Sequence, residues 1–197
     1  MTLFRTISII LLLSFSLNLQ GQTTAKEAFT KDIATFMSNT TAGDWDAVLD
    51  MTYPKLFTLL PREQMKAAMI AAIEGTGMKT TVKALDVAKV YAPIKEGDET
   101  FQRIDYNSEL NLGLNDQMWS MRDAMLEGMR ASMENAEDVV VNEETKSIVV
   151  NQLSTMIAIK ADGADEWKYL QFQSNQKSML MSIIPAAVLD QMFVTKN

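Results

Sequence analysis

The chain has 197 residues, with 18 Lys and Arg against 25 Asp and Glu, a formal charge of -7; it has no Cys, no His and 15 Met. Without Cys or His it can build no disulfide scaffold, zinc finger, thiol nucleophile, haem-ligating imidazole or Ser-His-Asp triad. The acidic balance argues against nucleic acid as a partner, since phosphate binding rests on clustered Lys and Arg, and the length suits one domain with a core that needs no staple.

Arg5 is the sole charge before Lys26, and an apolar run from Ile7 to Leu17 follows it. A short positive head, an apolar stretch and then small and polar residues predict a secretory signal peptide over residues 1–21, with Gln22 as the new terminus. The run ends at Asn18, short of the roughly 20 apolar residues that a membrane span needs. The expected product, residues 22–197, is an exported protein, periplasmic or secreted, with no stable membrane span after cleavage. No Cys stands near the cleavage site to take a lipid.

Helices come first in the mature chain. Thr24 and Glu27 have capping-box form, and Ala25, Phe29, Ile33, Phe36 and Met37 follow at helical spacing. Gly43 closes this helix and Asp44 caps the next, in which Trp45, Val48 and Leu49 share one face. Tyr53-Pro54 breaks that helix, because proline disfavours the helical conformation in the residue before it. Leu56, Phe57, Leu59 and Leu60 make an apolar knot. Pro61 then opens a third helix that turns Met65, Ala68, Met69, Ala72 and Ile73 inward and stops at Gly75.

Strands follow. Lys79 to Tyr91 is rich in Val and Thr, with a slip in its alternation near Leu85 that predicts a bulge. From Phe101 to Leu114 the alternation is strict: Ile104, Tyr106, Ser108, Leu110, Leu112 and Leu114 on one face, Arg103, Asp105, Asn107, Glu109 and Asn111 on the other. That pattern predicts one buried and one wet face. Lys95 to Glu99 is the loop of the hairpin. A fourth helix spans about Asp116 to Asn135. Val139 to Val141 and Ile148 to Val150 form another hairpin, the second strand running on through Ile159. A last strand covers Trp167 to Phe172, and the tail from Gln176 to Phe193 is helical, with Pro185 at its final turns. The predicted fold class is α+β: N-terminal helices packed on one face of a curved antiparallel sheet of about five strands, an extra helix inserted between strands, and a C-terminal helix.

Two stretches carry a family likeness. Gly43-Asp44-Trp45-Asp46-Ala47-Val48-Leu49-Asp50 with Tyr53-Pro54-Lys55-Leu56-Phe57, and later Ile159-Lys160 with Glu166-Trp167-Lys168-Tyr169-Leu170, resemble the front and the terminal strands of nuclear transport factor 2-like domains, in an exported bacterial member. The likeness covers Lys26 to Phe172. It implies a cone in which three helices close a curved sheet. Members of that superfamily include small-molecule enzymes, ligand binders and associative modules, so the likeness selects no function. The helix from Asp116 to Asn135 and the helical tail are additions to the minimal pattern.

Met118, Met121, Met125, Met129 and Met133 recur at helical spacing over an arc of about 120°. Such a stripe fills an irregular core or grips a flexible partner. Thioethers also bind Cu(I), which makes Met121, Met125 and Met129 the metal candidates. For catalysis, a cone-fold enzyme of isomerase or dehydratase type would pair a carboxylate with a Tyr hydroxyl. Tyr106 and Ser108 are the polar residues on the inward face of the best strand, so Tyr106 is the candidate donor. Asp86, in the irregular strand, is the candidate carboxylate. Asp162, Asp165 and Glu166 crowd one loop without an EF-hand pattern. Gly75-Thr76-Gly77 follows a helix, the wrong context for a dinucleotide, and Asn39-Thr40-Thr41 is a formal sequon. Trp45, Trp119 and Trp167 read as core anchors.

The function expected from these residues is an exported, non-catalytic module that binds an apolar small molecule or a protein partner, a homodimer included. Its contact face would comprise Tyr106, Met118, Met121, Met125, Met129 and Met133, and no cofactor is expected. The small enzyme is the alternative, and Met-based copper handling is third. A filled space between helices and sheet would mean a scaffold; a hollow one would mean a ligand site.

Overall fold

A computed structural model gives the structure of residues 25–75, 77–132 and 136–193. The predicted signal peptide, Thr24 of the capping box, Thr76 and Met133 lie outside the described residues. Helix α1 is described over residues 25–42 and buries Phe29, Ile33 and Met37, one residue per turn. It ends at Gly43, whose φ of +71° suits a residue without a Cβ; the Asp44 N–H reaches back to the Asn39 carbonyl at 2.9 Å. The Asp44 carboxylate then accepts from the Ala47 N–H at 3.2 Å and starts α2, Trp45–Met51. Pro54 opens a single 3-10 turn, Pro54–Thr58, in place of an apolar knot: none of its residues is buried and Leu59 stands exposed. Helix α3, Arg62–Glu74, departs further from expectation. Ala68 and Ala72 face solvent, and Met65, Met69 and Ile73 are only half-buried.

Six strands form one open antiparallel sheet that does not curl back on itself. They are β1 (Lys79–Val90), β2 (Ile94–Glu96), β3 (Glu99–Gly113), β4 (Ala136–Asn142), β5 (Ser147–Ala161) and β6 (Lys168–Phe172). The main path runs β1-β3-β5-β4, with β2 beside β3 and β6 beside β5. The predicted slip near Leu85 is present as a register shift between Ala84 and Asp86. The first hairpin loop is shorter than expected. Lys95 and Glu96 belong to β2, and the turn is Gly97-Asp98, with Gly97 at a φ of +56°. Among the described residues, β4 pairs with β5 as far as Gln152 and β6 from Thr155, leaving a notch at Leu153 and Ser154.

Helices occupy both faces of this sheet, where one had been expected. Ile104, Tyr106, Met156, Ala158 and Tyr169 share one face and pack against Phe29, Ile33 and Met37 of α1. Further along the same face, Leu114, Val139, Ile148 and Val150 meet Leu126. The opposite face carries Phe101, Ile157, Ile159 and Leu170, which are closed over by Leu180 of α6 (Lys177–Leu180) and by Val188, Leu189 and Met192 of α7 (Ala186–Phe193). The outward row of β3 is therefore wet at only one end. Asp105, although outward-facing, is 5% exposed.

The predicted helix over Asp116 to Asn135 is two helices, α4 (Asp116–Ser120) and α5 (Arg122–Ser132), separated at Met121. Met121 sits at φ −107°, ψ 8°, outside helical geometry, so the stripe of methionines is not one continuous face. Met118, Met125 and Met129 pack beside Trp119 on the second cluster, whereas Met121 is 59% exposed. Met121→Ala should change unfolding free energy by less than about 0.5 kcal/mol. Leu126→Ala, on the buried side, should cost about 2–4 kcal/mol in the same urea titrations. Equal losses at the two positions would contradict this division of roles.

Candidate functional site

The inner sheet face is apolar at both ends and polar between them. Along β3 it reads Ile104, Tyr106, Ser108, Leu110, Leu112; along β5, facing those residues, Met156, Ser154, Gln152, Val150, Ile148. The first apolar group is covered by α1 and the second by α4 and α5. Between the two groups Ser108, Ser154 and Gln152 form a polar belt, with Ser108 2% and Ser154 8% exposed. A cleft of about 680 Å³ lies over it. Phe36, Met37, Met69, Val82 and Leu110 form apolar wall; Tyr106, Ser108, Ser154, Gln152 and Gln171 supply polar groups. The cleft continues round the notch in β5 to Leu153, Phe172, Phe193 and Arg103.

Inside the belt, the hydroxyls of Ser108 and Ser154 are bonded at 3.0 Å, and Ser108 also lies 3.4 Å from the Gln152 carbonyl. Tyr106 is fully buried, and its hydroxyl has no hydrogen-bond partner. Burial pushes its phenol up to about 12. It therefore remains a neutral O–H donor at any physiological pH.

The other tyrosines make the contrast. The chain has 4. Tyr53 donates to Glu99 at 2.9 Å, Tyr91 donates to Asp105 at 2.8 Å, and Tyr169 donates to Asp32. Burial first, and then the neighbouring carboxylate, holds Tyr91 and Tyr169 above the ordinary phenol range, and burial is also the main cause of the rise at Tyr53. Each of these three has a structural reason for its hydroxyl: Tyr169 ties β6 to α1, Tyr91 closes the Asp105 cluster, and Tyr53 ties the turn after α2 to β3. Tyr106 has none.

The expected carboxylate partner does not join it. Asp86 is exposed and accepts from the Asn107 side-chain amide at 2.9 Å, on the face opposite Tyr106. No Asp or Glu is among the described residues lining the cleft. A phenol and a carboxylate do meet in a second cleft, of about 530 Å³, where Glu99 accepts from Tyr53 and, at 2.9 Å, from Lys55. Glu99 holds Lys55 above the usual ammonium range, and donors occupy both carboxylate oxygens, so this cluster is a satisfied ion pair and not a base awaiting a proton.

The remaining motifs resolve into structure. Asp162 pairs with Lys95 and Glu166 with Lys168, and the described residues hold no His, Cys, Asp or Glu group able to grip a metal ion. The sequon lies within α1, where the Thr40 hydroxyl donates to the Phe36 carbonyl and Thr41 exchanges hydrogen bonds with the Val82 backbone. Trp45 is buried; Trp119 and Trp167 are half-buried. Ser154, Gln152 and Gln171 escaped the sequence reading, because their place depends on β5 register and not on any local pattern. A search of protein-family models, of curated proteins and of solved structures finds no match to this chain.

Proposed function

We propose that this chain is an exported, non-catalytic binding module that takes a small apolar molecule into the cleft over the Ser108–Ser154 belt. The observation that carries this reading is the Tyr106 hydroxyl, buried and unpartnered at a cleft of mixed apolar and uncharged polar groups. An unpaired buried hydroxyl costs about 1–3 kcal/mol, a penalty that an arriving acceptor would relieve. The leader-like first 21 residues support export. The rival enzyme reading needs an acid beside Tyr106, and the described lining offers none. The packing of Met118, Met125 and Met129 against the sheet favours a structural use of their thioethers over copper.

The test is a fluorescence titration of the mature chain with the neutral apolar reporter N-phenyl-1-naphthylamine. One site is expected, and Gln171→Trp, which puts bulk on an exposed lining position, should weaken it at least tenfold. Unchanged reporter binding in that variant, or no binding at all, overturns the proposal. Stability supplies a second check. Tyr106→Phe should leave the empty protein as stable or up to about 1 kcal/mol more so, since it removes a hydroxyl that has no partner. Tyr169→Phe, which breaks the bond to Asp32, should cost about 1.5–3 kcal/mol.

A further inference from the structure

From the uncharged polar belt of the cleft we infer that its occupant is an uncharged lipophile bearing a carbonyl, ester or hydroxyl oxygen, bound with that oxygen at Tyr106. This inference rests on the binding reading above and narrows it to one chemical class.

The polar groups at the belt are phenol, hydroxyl and amide, none of which carries charge. Arg103 is the one charged residue among the described lining, and it is already spent. Its Nε and Nη2 donate to the two Asp105 oxygens at 2.9 and 2.8 Å, and its Nη1 donates to the Met192 carbonyl at 3.2 Å. Its guanidinium is stacked between the rings of Tyr91 and Phe193, 4.4 and 4.8 Å from their centroids. It also belongs to the opposite sheet face, beyond the notch. A carboxylate head buried against Tyr106 would find a donor but no countercharge, and an ammonium head would find neither an acid nor a free anion. Either would carry the desolvation cost of a lone buried charge.

A neutral oxygen faces no such cost. It accepts from the Tyr106 O–H. The alkyl remainder would lie against Phe36, Met37, Met69 and Leu110. The volume, about 680 Å³, falls within the range of sites that enclose a molecule of drug size.

A matched series on one chain length tests the class: methyl dodecanoate, dodecanol, dodecanoate and dodecylamine. Each displaces N-phenyl-1-naphthylamine from the mature protein at pH 7.5, below its micelle threshold. The ester and the alcohol should bind at least tenfold more tightly than the acid and the amine. Tyr106→Phe should weaken the ester about 3–10-fold, the worth of one hydrogen bond, with each affinity referred to the reporter's own titration in that variant. Comparable or tighter binding of dodecanoate or dodecylamine overturns the inference, as does an ester indifferent to Tyr106→Phe. In either case reporter binding that Gln171→Trp still weakens at least tenfold would leave the binding module intact, so the two readings fail separately.

Discussion

Asp105→Ala should lower the unfolding free energy by about 3–5 kcal/mol, the cost of stranding one half of a buried ion pair. The carboxylate is 5% exposed and accepts hydrogen bonds from three side chains, two from Arg103 and one each from Tyr91 and Thr155, at 2.8–2.9 Å. Those donors come from β3, from the residue after β1 and from β5, so the group fastens three strands on the face where α7 docks. Truncation leaves a guanidinium that is only 21% exposed without its anion. Asp105→Asn, which keeps shape and some acceptor capacity, should recover part of the loss. The measurement is urea unfolding of both variants beside the parent. A loss below about 1 kcal/mol for Asp105→Ala would mean that water replaces the carboxylate and that the cluster holds nothing together.

Leu189→Ala should cost about 2–5 kcal/mol, the range for removing a fully buried leucine side chain. Leu189 is 0% exposed and packs with Ile157, Ile159, Leu170 and Val188 between α7 and the sheet. The position matters because it belongs to the second helical layer, which the sequence pattern does not announce. Met179→Ala, at a site 45% exposed on the neighbouring helix, provides the reference and should change stability by less than about 0.5 kcal/mol. If the two substitutions cost the same, α7 does not cover the sheet and half of the core described above is wrong.

The inner face of the sheet was legible, and the outer one was not. Strict alternation along β3 places Ile104, Tyr106, Ser108 and Leu112 on one side, and the structure has all of them inward. The irregular Leu85 showed through because a bulge breaks the period of two at a countable position. Asp105 did not show. A carboxylate on the polar side of an alternating strand reads the same whether water or arginine surrounds it, and its donors Tyr91 and Thr155 come from other segments. Nor did the break at Met121, because neither Gly nor Pro interrupts the helical stretch from Asp116 to Glu127. Half of the candidate site was visible from Tyr106 and Ser108 alone. The other half, Ser154 and Gln152, needed strand register, which only the pairing of β3 with β5 supplies.

Helix α3 is held differently from every other wall of the cleft. None of its described side chains is buried, and it is tied to α2 by surface ion pairs of Arg62 with Asp50 and of Lys66 with Asp46. Such pairs weaken as counterions accumulate. Met69 nevertheless lines the cleft from this helix. Detachment of α3 would leave the sheet intact while widening the cleft. Raised ionic strength should therefore loosen α3 from α2 before it affects the sheet.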